Sequence, residues 1–339
     1  MIRDRQPRTR LVHLPTPLEA APVLSETLGI ELWIKREDLS GLCVGGNKSR
    51  LLEFVIGSLR EKGVDTLIAC AAEQSNKLRD IAAAAARSGM RAVLLIPDAA
   101  GQAHEPYQGN RLLFDILGAD VRAVPAGLGR AGILAAQEAV RDALIAEGRH
   151  PAILDRALDY GVEATIAYVD AAEELQQQVA GLPGPVHAVF IAVGAGMTAA
   201  GLALGLKHLG SPVQVVGVSI ASDAAELGDA IRDHADRAAE RLGIATRLDA
   251  GDVILVDDHV APGYGVLTPQ LVEVIRRFAR GHGMILDPVY NAKVALALVE
   301  WVEAGRIPQG ARVVLVNTGG SPAIYQYAAG LTGDLETSL

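Results

Sequence analysis

Twice in this chain an apolar run ends at glycines and gives way to a helical pattern: HAVFIAVGAGMTAAGLALGLKHLG (187–210) and RVVLVNTGGSPAIYQY (312–327). The same alternation fills the rest. TLIAC (66–70), AVLLIP (92–97), VRAVP (121–125) and VQVVGVSI (213–220) read as short strands. Helical patterns run at about 77–87, 108–119, 130–147 and 163–179. Strands that are apolar throughout are covered on both faces, which requires parallel sheets flanked by helices. The expected fold is therefore α/β, with open, mostly parallel twisted sheets and ligands at the carboxyl ends of strands. PVLSETLG (22–29) and AAGQAHEPYQG (99–109) are expected as surface connections.

The 339 residues suffice for two domains. A net charge of −9, with no basic block, argues against nucleic acid as a partner. No stretch approaches the ~18 apolar residues of a membrane span, and MIRDRQPRTR has no apolar signal run. The expectation is a cytoplasmic protein. Cys43 and Cys70 are too few for a disulfide framework, and the scattered histidines show no metal-ligand spacing.

Lysine occurs only at 35, 48, 62, 77, 207 and 293, in a chain rich in arginine. Each is a candidate for amine chemistry, which arginine cannot perform. Lys48 stands out, because VGGNK puts it beside glycines just before a helix expected near Ser49. Strand–glycine–helix junctions expose backbone N–H groups where the helix dipole favours an anion such as phosphate. The loop Gly194–Gly201 opens as GxG, but Ala199 stands where a dinucleotide fingerprint needs its third glycine. That loop serves either a phosphate cup or a tight turn. In EQSNK (73–77), Ser75 or Asn76 is either a helix N-cap or part of a carboxylate site. PGYG (262–265) and DPVYNAK (287–293) each present a tyrosine at a turn, as packing or as chemistry.

Taken in order, GGNKSRLLEF, AAEQSNKLRDIAAAAARSGM, AVGAGMTAAGLALGLK, PGYGVLTPQ, LDPVYNAKVALALV and VNTGGSPAIYQY resemble one family. So does the opening LVHLPTPLEAAPVLSETLGIELWIKREDLSG. The family is that of 1-aminocyclopropane-1-carboxylate deaminases, D-cysteine desulfhydrases and L-cysteate sulfo-lyases. These are pyridoxal-phosphate enzymes of the tryptophan synthase β-subunit fold type. The resemblance covers about residues 10–330.

The resemblance implies roles. Lys48 would hold pyridoxal phosphate as a Schiff base, with Asn47 beside it. Asn76 would hydrogen-bond the cofactor's phenolic oxygen. Gly194, Ala195, Gly196, Met197 and Thr198 would cup its phosphate. Tyr290 would lie on or beside the pyridine ring, and Asn291 or Thr318 near its nitrogen. Ser75 and the loop around it, with Gln74, Asn76 and Lys77, would hold the substrate, and Tyr264 would face its reacting side. The implied reaction is β-elimination and deamination of a small amino acid, giving a 2-oxo acid and ammonia. D-cysteine or a related sulfur or sulfonate amino acid is the expected substrate. A homodimer is implied as well, with a larger domain of residues 1–50 plus 160–339, a smaller domain of 51–159, and the site in the cleft between them.

The chain departs from the family pattern at four places. Leu51 replaces a lysine that ordinarily helps hold the phosphate, and Lys77 replaces a histidine. Met197 is bulky for a cup. Asn291, a neutral amide in place of an acidic or threonine residue, argues against 1-aminocyclopropane-1-carboxylate deamination, because it would not stabilise a charged pyridine nitrogen. The alternatives are 1-aminocyclopropane-1-carboxylate deamination, deamination or racemisation of another amino acid with the same cofactor, a binding protein that has lost catalysis, and a dinucleotide-binding oxidoreductase. The last explains neither Lys48 nor the QSN loop.

Overall fold

The computed structural model describes residues 6–98, 107–154 and 160–332. Its strands form two sheets. The larger contains β1 (Leu18–Ala20), β2 (Glu31–Arg36), β7 (Val186–Val193), β8 (Gln214–Ser219), β9 (Val253–Val256) and β10 (Arg312–Asn317), in the order β1-β2-β10-β7-β8-β9. The smaller contains β3 (Thr66–Cys70), β4 (Arg91–Asp98), β5 (Asp120–Pro125) and β6 (Pro151–Ile153), in the order β5-β4-β3-β6. Every pairing is parallel except β1 with β2. This is the α/β architecture expected from the uniformly apolar strands.

The helices are α1 (Pro22–Leu28), α2 (Asn47–Glu61), α3 (Asn76–Ser88), α4 (Gly109–Ile116), α5 (Arg130–Ala146) and α6 (Tyr160–Ala180). They continue with α7 (Met197–His208), α8 (Ala224–Leu242), α9 (Pro269–His282), α10 (Asn291–Glu303) and α11 (Ala328–Thr332). PVLSETLG is not a connection but α1, with Pro22 in its first turn and Gly29 closing it. Proline is pre-set for a helix start, where its missing N–H costs nothing. Of AAGQAHEPYQG, residues 99–106 lie outside the described residues, and Gly109 begins α4.

Helix α2 is apolar on more than one side because it serves two cores. Leu51 and Phe54 pack with α6 and α7 against the larger sheet. Leu52, Val55 and Ile56 pack with α3 and the smaller sheet. The helix carrying Lys48 thus joins both packing units. A buried ionic cluster fixes it further. Arg50 donates to Glu37 (2.7 Å) and Glu174 (3.0 Å), and Lys35 on β2 donates to Glu174. Buried charges persist when paired and hydrogen-bonded in this way.

Candidate active site

Helix α3, the first turn of α7 and the loop after β10 meet at the first turn of α2. The Asn47 backbone N–H donates to the Thr318 carbonyl (3.0 Å), and its Nδ2 donates to Thr198 Oγ1 (3.2 Å). One residue therefore touches the loop after β10 and the glycine loop after β7. The approach is close enough to need glycine. A Cβ on Gly319, at φ +84°, would sit 2.7 Å from the Gly46 Cα.

Lys48 is the second residue of α2. Its amine lies 3.3 Å from Asn47 Oδ1 and 5.1 Å from the centre of the Tyr290 ring. Burial lowers the Lys48 pKa below its ordinary value, and Arg79 and Lys77 push the same way against Asp80 and Asp287. A depressed pKa leaves more of the amine unprotonated and nucleophilic. Tyr290 and Tyr264 share a hydrogen bond (2.8 Å) with their rings edge to face. Desolvation raises the pKa of both, Tyr264 less deeply set because it is exposed at the surface, and both hydroxyls are neutral.

The polarity of the side chains shows what each has left to offer a ligand. Ser75 caps α3 by accepting from the Leu78 N–H (3.3 Å), so its own hydroxyl hydrogen remains available. Asn76 Oδ1 accepts from Arg79 (2.9 Å) and from Asn110 (2.8 Å). Its Nδ2 therefore faces the loop after β10 as a donor, beside Gly320. Thr198 Oγ1 accepts from Asn47 and keeps its hydrogen. Helix α7 begins at Met197 with no side-chain cap, leaving its first N–H groups open. The arrangement is rich in donors, which suits a ligand carrying several anionic oxygens and an aldehyde for Lys48.

Other expected residues are occupied within the protein. Asn291 gives both amide hydrogens to Asp287 (2.6 Å) and the Gly319 carbonyl (2.7 Å), and its Oδ1 accepts twice from Thr318. It has no group left for a ring nitrogen. These bonds supply no acidic group at this position, so the ground of the expectation against 1-aminocyclopropane-1-carboxylate deamination is unchanged. Gln74 bridges to the start of α4, through the Gln108 carbonyl (3.0 Å) and the Asn110 N–H (2.9 Å). Lys77 donates to the Cys70 carbonyl (3.2 Å) at the end of β3. Met197 packs on the core of the larger sheet rather than filling the cup, and Leu51 is core as well.

Sequence reasoning missed Arg79, Asp80 and Asp287, all buried. Arg79 joins Asn76, Asn110, Asp80 and the Gly45 carbonyl. Its signal was legible: an Arg–Asp pair on an alanine-rich helix, three and four residues after Asn76 and so on the same face. Asp287 accepts from the N–H groups of Val289, Tyr290 and Asn291 and thereby orients the start of α10.

A family model described as pyridoxal-phosphate dependent enzyme matches residues 9–319. The chain belongs to this family. Its cofactor is pyridoxal phosphate, and it is a pyridoxal-phosphate-dependent lyase. A D-cysteine desulfhydrase of Salmonella choleraesuis is 35% identical over 325 residues, covering 95% of this chain and 97% of the relative. Among solved structures, an ACC deaminase homologue superposes with a TM-score of 0.86 at 30% identity, covering 97% of each chain. The processed form of threonine deaminase isoform 2 from Solanum lycopersicum shares the fold, with a TM-score of 0.65 at 20% identity, over 95% of this chain and 84% of that one. Lys48 and the donor-rich polarity around it agree with the chemistry of the family's cofactor.

Proposed function

We propose that this lyase eliminates the β-substituent of a small sulfur or sulfonate amino acid, with D-cysteine the first candidate. D-Cysteine and water would give pyruvate, ammonia and hydrogen sulfide. The observation that carries the reading is Lys48, an amine with a lowered pKa against the Tyr290 ring, in a chain 35% identical to a D-cysteine desulfhydrase along nearly its whole length. Bound pyridoxal phosphate supplies an electron sink for the pair left at the substrate's α-carbon. Lys48 would hold it covalently and would move the substrate's α-proton. Asn76 donates to the cofactor's phenolic oxygen. Residues Gly194 to Thr198 offer N–H groups and the Thr198 hydroxyl to its phosphate. Of the two residues expected near the ring nitrogen, Thr318 gives its hydroxyl hydrogen to Asn291 and would offer only an acceptor there.

On the substrate side, Ser75 donates its hydroxyl hydrogen to the carboxylate, and Lys77 supplies positive charge in the same helical turn. Gln74 supports that loop from behind. Tyr264, hydrogen-bonded to Tyr290, faces the reacting side. The two sheets support a larger domain of residues 1–50 plus 160–339 and a smaller one of 51–159, with α2 packed into both cores and the site in the cleft. We propose further that the enzyme works as a cytoplasmic homodimer. No helix among the described residues is long and apolar enough to cross a membrane.

The test is a panel of D- and L-cysteine, D- and L-cysteate and 1-aminocyclopropane-1-carboxylate, assayed for pyruvate, 2-oxobutyrate and sulfide. Pyruvate and sulfide from D-cysteine, abolished by Lys48→Ala, are expected. Release of 2-oxobutyrate from 1-aminocyclopropane-1-carboxylate without any sulfide would transfer the reading to the deaminase side. The 30% identity to the ACC deaminase homologue keeps that alternative in view.

A further inference from the structure

His234, on α8, lies outside every motif singled out in the sequence, yet it reaches the glycine loop. Its Nε2 is 3.1 Å from the Ala195 carbonyl oxygen. A carbonyl oxygen can only accept, so Nε2 carries the hydrogen and the tautomer is fixed. Helix α8 holds the histidine firmly, because Ile231 and Ala235 on either side are buried in the core of the larger sheet.

This bond sets the direction of one peptide group. In a planar trans peptide the carbonyl and the following N–H point opposite ways. With the Ala195 carbonyl turned to α8, the Gly196 N–H points away from α8, to the side of the loop that the proposed cup occupies. Nothing in the local backbone enforces that choice. Gly196 sits at φ +92°, ψ −26°, close to the third position of a type II turn. Rotating the 195–196 peptide by half a turn gives type I geometry, which glycine adopts as readily. The rotated loop would aim a carbonyl oxygen, not an N–H, at the ligand. A Cβ at Gly196 would also meet Ile231 at 3.1 Å, so α8 lies hard against the outer side of the loop.

We propose that His234 is a positioning residue of the phosphate cup: its Nε2–H holds the Ala195–Gly196 peptide in the orientation that gives an N–H to the cofactor's phosphate. The inference rests on the reading of Gly194 to Thr198 as that cup. It concerns binding rather than turnover, because His234 touches the loop and not the ligand.

The test is equilibrium titration of the apo-protein with pyridoxal 5′-phosphate and, separately, with pyridoxal, which lacks the phosphate. Wild type is expected to favour the phosphorylated form strongly. His234→Leu, which removes the donor and keeps the bulk, is expected to weaken pyridoxal 5′-phosphate by up to about tenfold, the worth of one well-placed hydrogen bond, and to leave pyridoxal unchanged. His234→Gln, which restores an N–H at similar reach, is expected to recover most of the loss. Should the leucine variant not fold, His234→Asn, with a shorter reach, is expected to show the same selective weakening. Equal affinity of the leucine and wild-type proteins for pyridoxal 5′-phosphate would overturn the proposal, and so would equal losses for both ligands. A wild-type protein that binds both ligands alike would overturn the cup reading itself, a separate and recognisable failure.

Discussion

Asn291 and Thr318 are joined twice: Asn291 Oδ1 accepts from the Thr318 backbone N–H at 2.9 Å and from its hydroxyl at 3.1 Å. The other end of the amide donates to Asp287 and to the Gly319 carbonyl. The Gly319 carbonyl can only accept and the Thr318 N–H can only donate, so the amide can face only one way. This side chain ties the start of α10, next to Tyr290, to the loop after β10.

Asn291→Ala removes all four bonds and leaves buried donors and acceptors unmatched. The expected cost is roughly 3–5 kcal/mol, since each orphaned buried group carries its own desolvation penalty. Urea denaturation of the apo-protein measures it. Asn291→Asp, nearly the same shape, is expected to be worse at neutral pH because it brings a second carboxylate against Asp287. It should recover as acid protonates one of the two. A loss below 1 kcal/mol in the alanine variant would mean that the network contributes little.

The architecture was legible in the sequence because uniformly apolar strands leave few alternatives. β2 was not, because Lys35 and Arg36 interrupt its pattern, and the burial of Lys35 depends on Glu174, far away in sequence. Lys48 was legible through rarity and its glycines. The assignments of Asn291 and Gln74 as ligand contacts were drawn from position in a motif. Which atoms of an amide remain free is decided by tertiary partners such as Asp287 and Asn110, and no local pattern encodes them. His234 left no signal, since a histidine on an amphipathic helix looks like any other.

Lys48 is expected to destabilise the apo-protein. Burial lowers its folded-state pKa below the unfolded value near 10.5, so the unfolded chain binds its proton more tightly. Stability therefore rises with pH between those two values, and the penalty is full below the folded pKa. Lys48→Met should be more stable than wild type at pH 7, with the difference shrinking as pH approaches 10.5. Thermal melts of both apo-proteins across that range test the sign. A methionine variant that is less stable at pH 7 would show that the lysine makes a net favourable contribution to the fold.

Glu174 has the opposite linkage. Burial alone would raise its pKa, but Arg50 and Lys35 hold it down to about 2, against an ordinary 4.5. Its contribution is fully present above 4.5 and is lost as pH falls through about 2. That window corresponds to about 3 kcal/mol. Glu174→Gln should be destabilised by roughly 3–5 kcal/mol at pH 7, because Lys35 and part of Arg50 lose their buried counter-charge. It should also show a shallower decline in stability below pH 4.5. Parallel acid titrations of variant and wild type would contradict this assignment.

Tyr264 and Tyr290 should behave as one unit in turnover. Their hydroxyls are 2.8 Å apart and both neutral, so a proton can be relayed through the pair only when one hydroxyl takes up a proton as the other gives its own away. Tyr264→Phe and Tyr290→Phe each break the pair, and each is expected to lower kcat about 100-fold, the scale of one positioned proton-transfer group. The double variant should be little worse than either single one, since the second hydroxyl has lost its partner already. Cofactor affinity should stay near wild type in all three, because the Tyr290 ring against the Lys48 amine is retained. Tyr290→Ala, which removes that ring, should weaken cofactor binding as well. Measuring kcat and cofactor Kd for the four proteins separates the roles. Additive losses from the two phenylalanine substitutions would mean that the hydroxyls act independently.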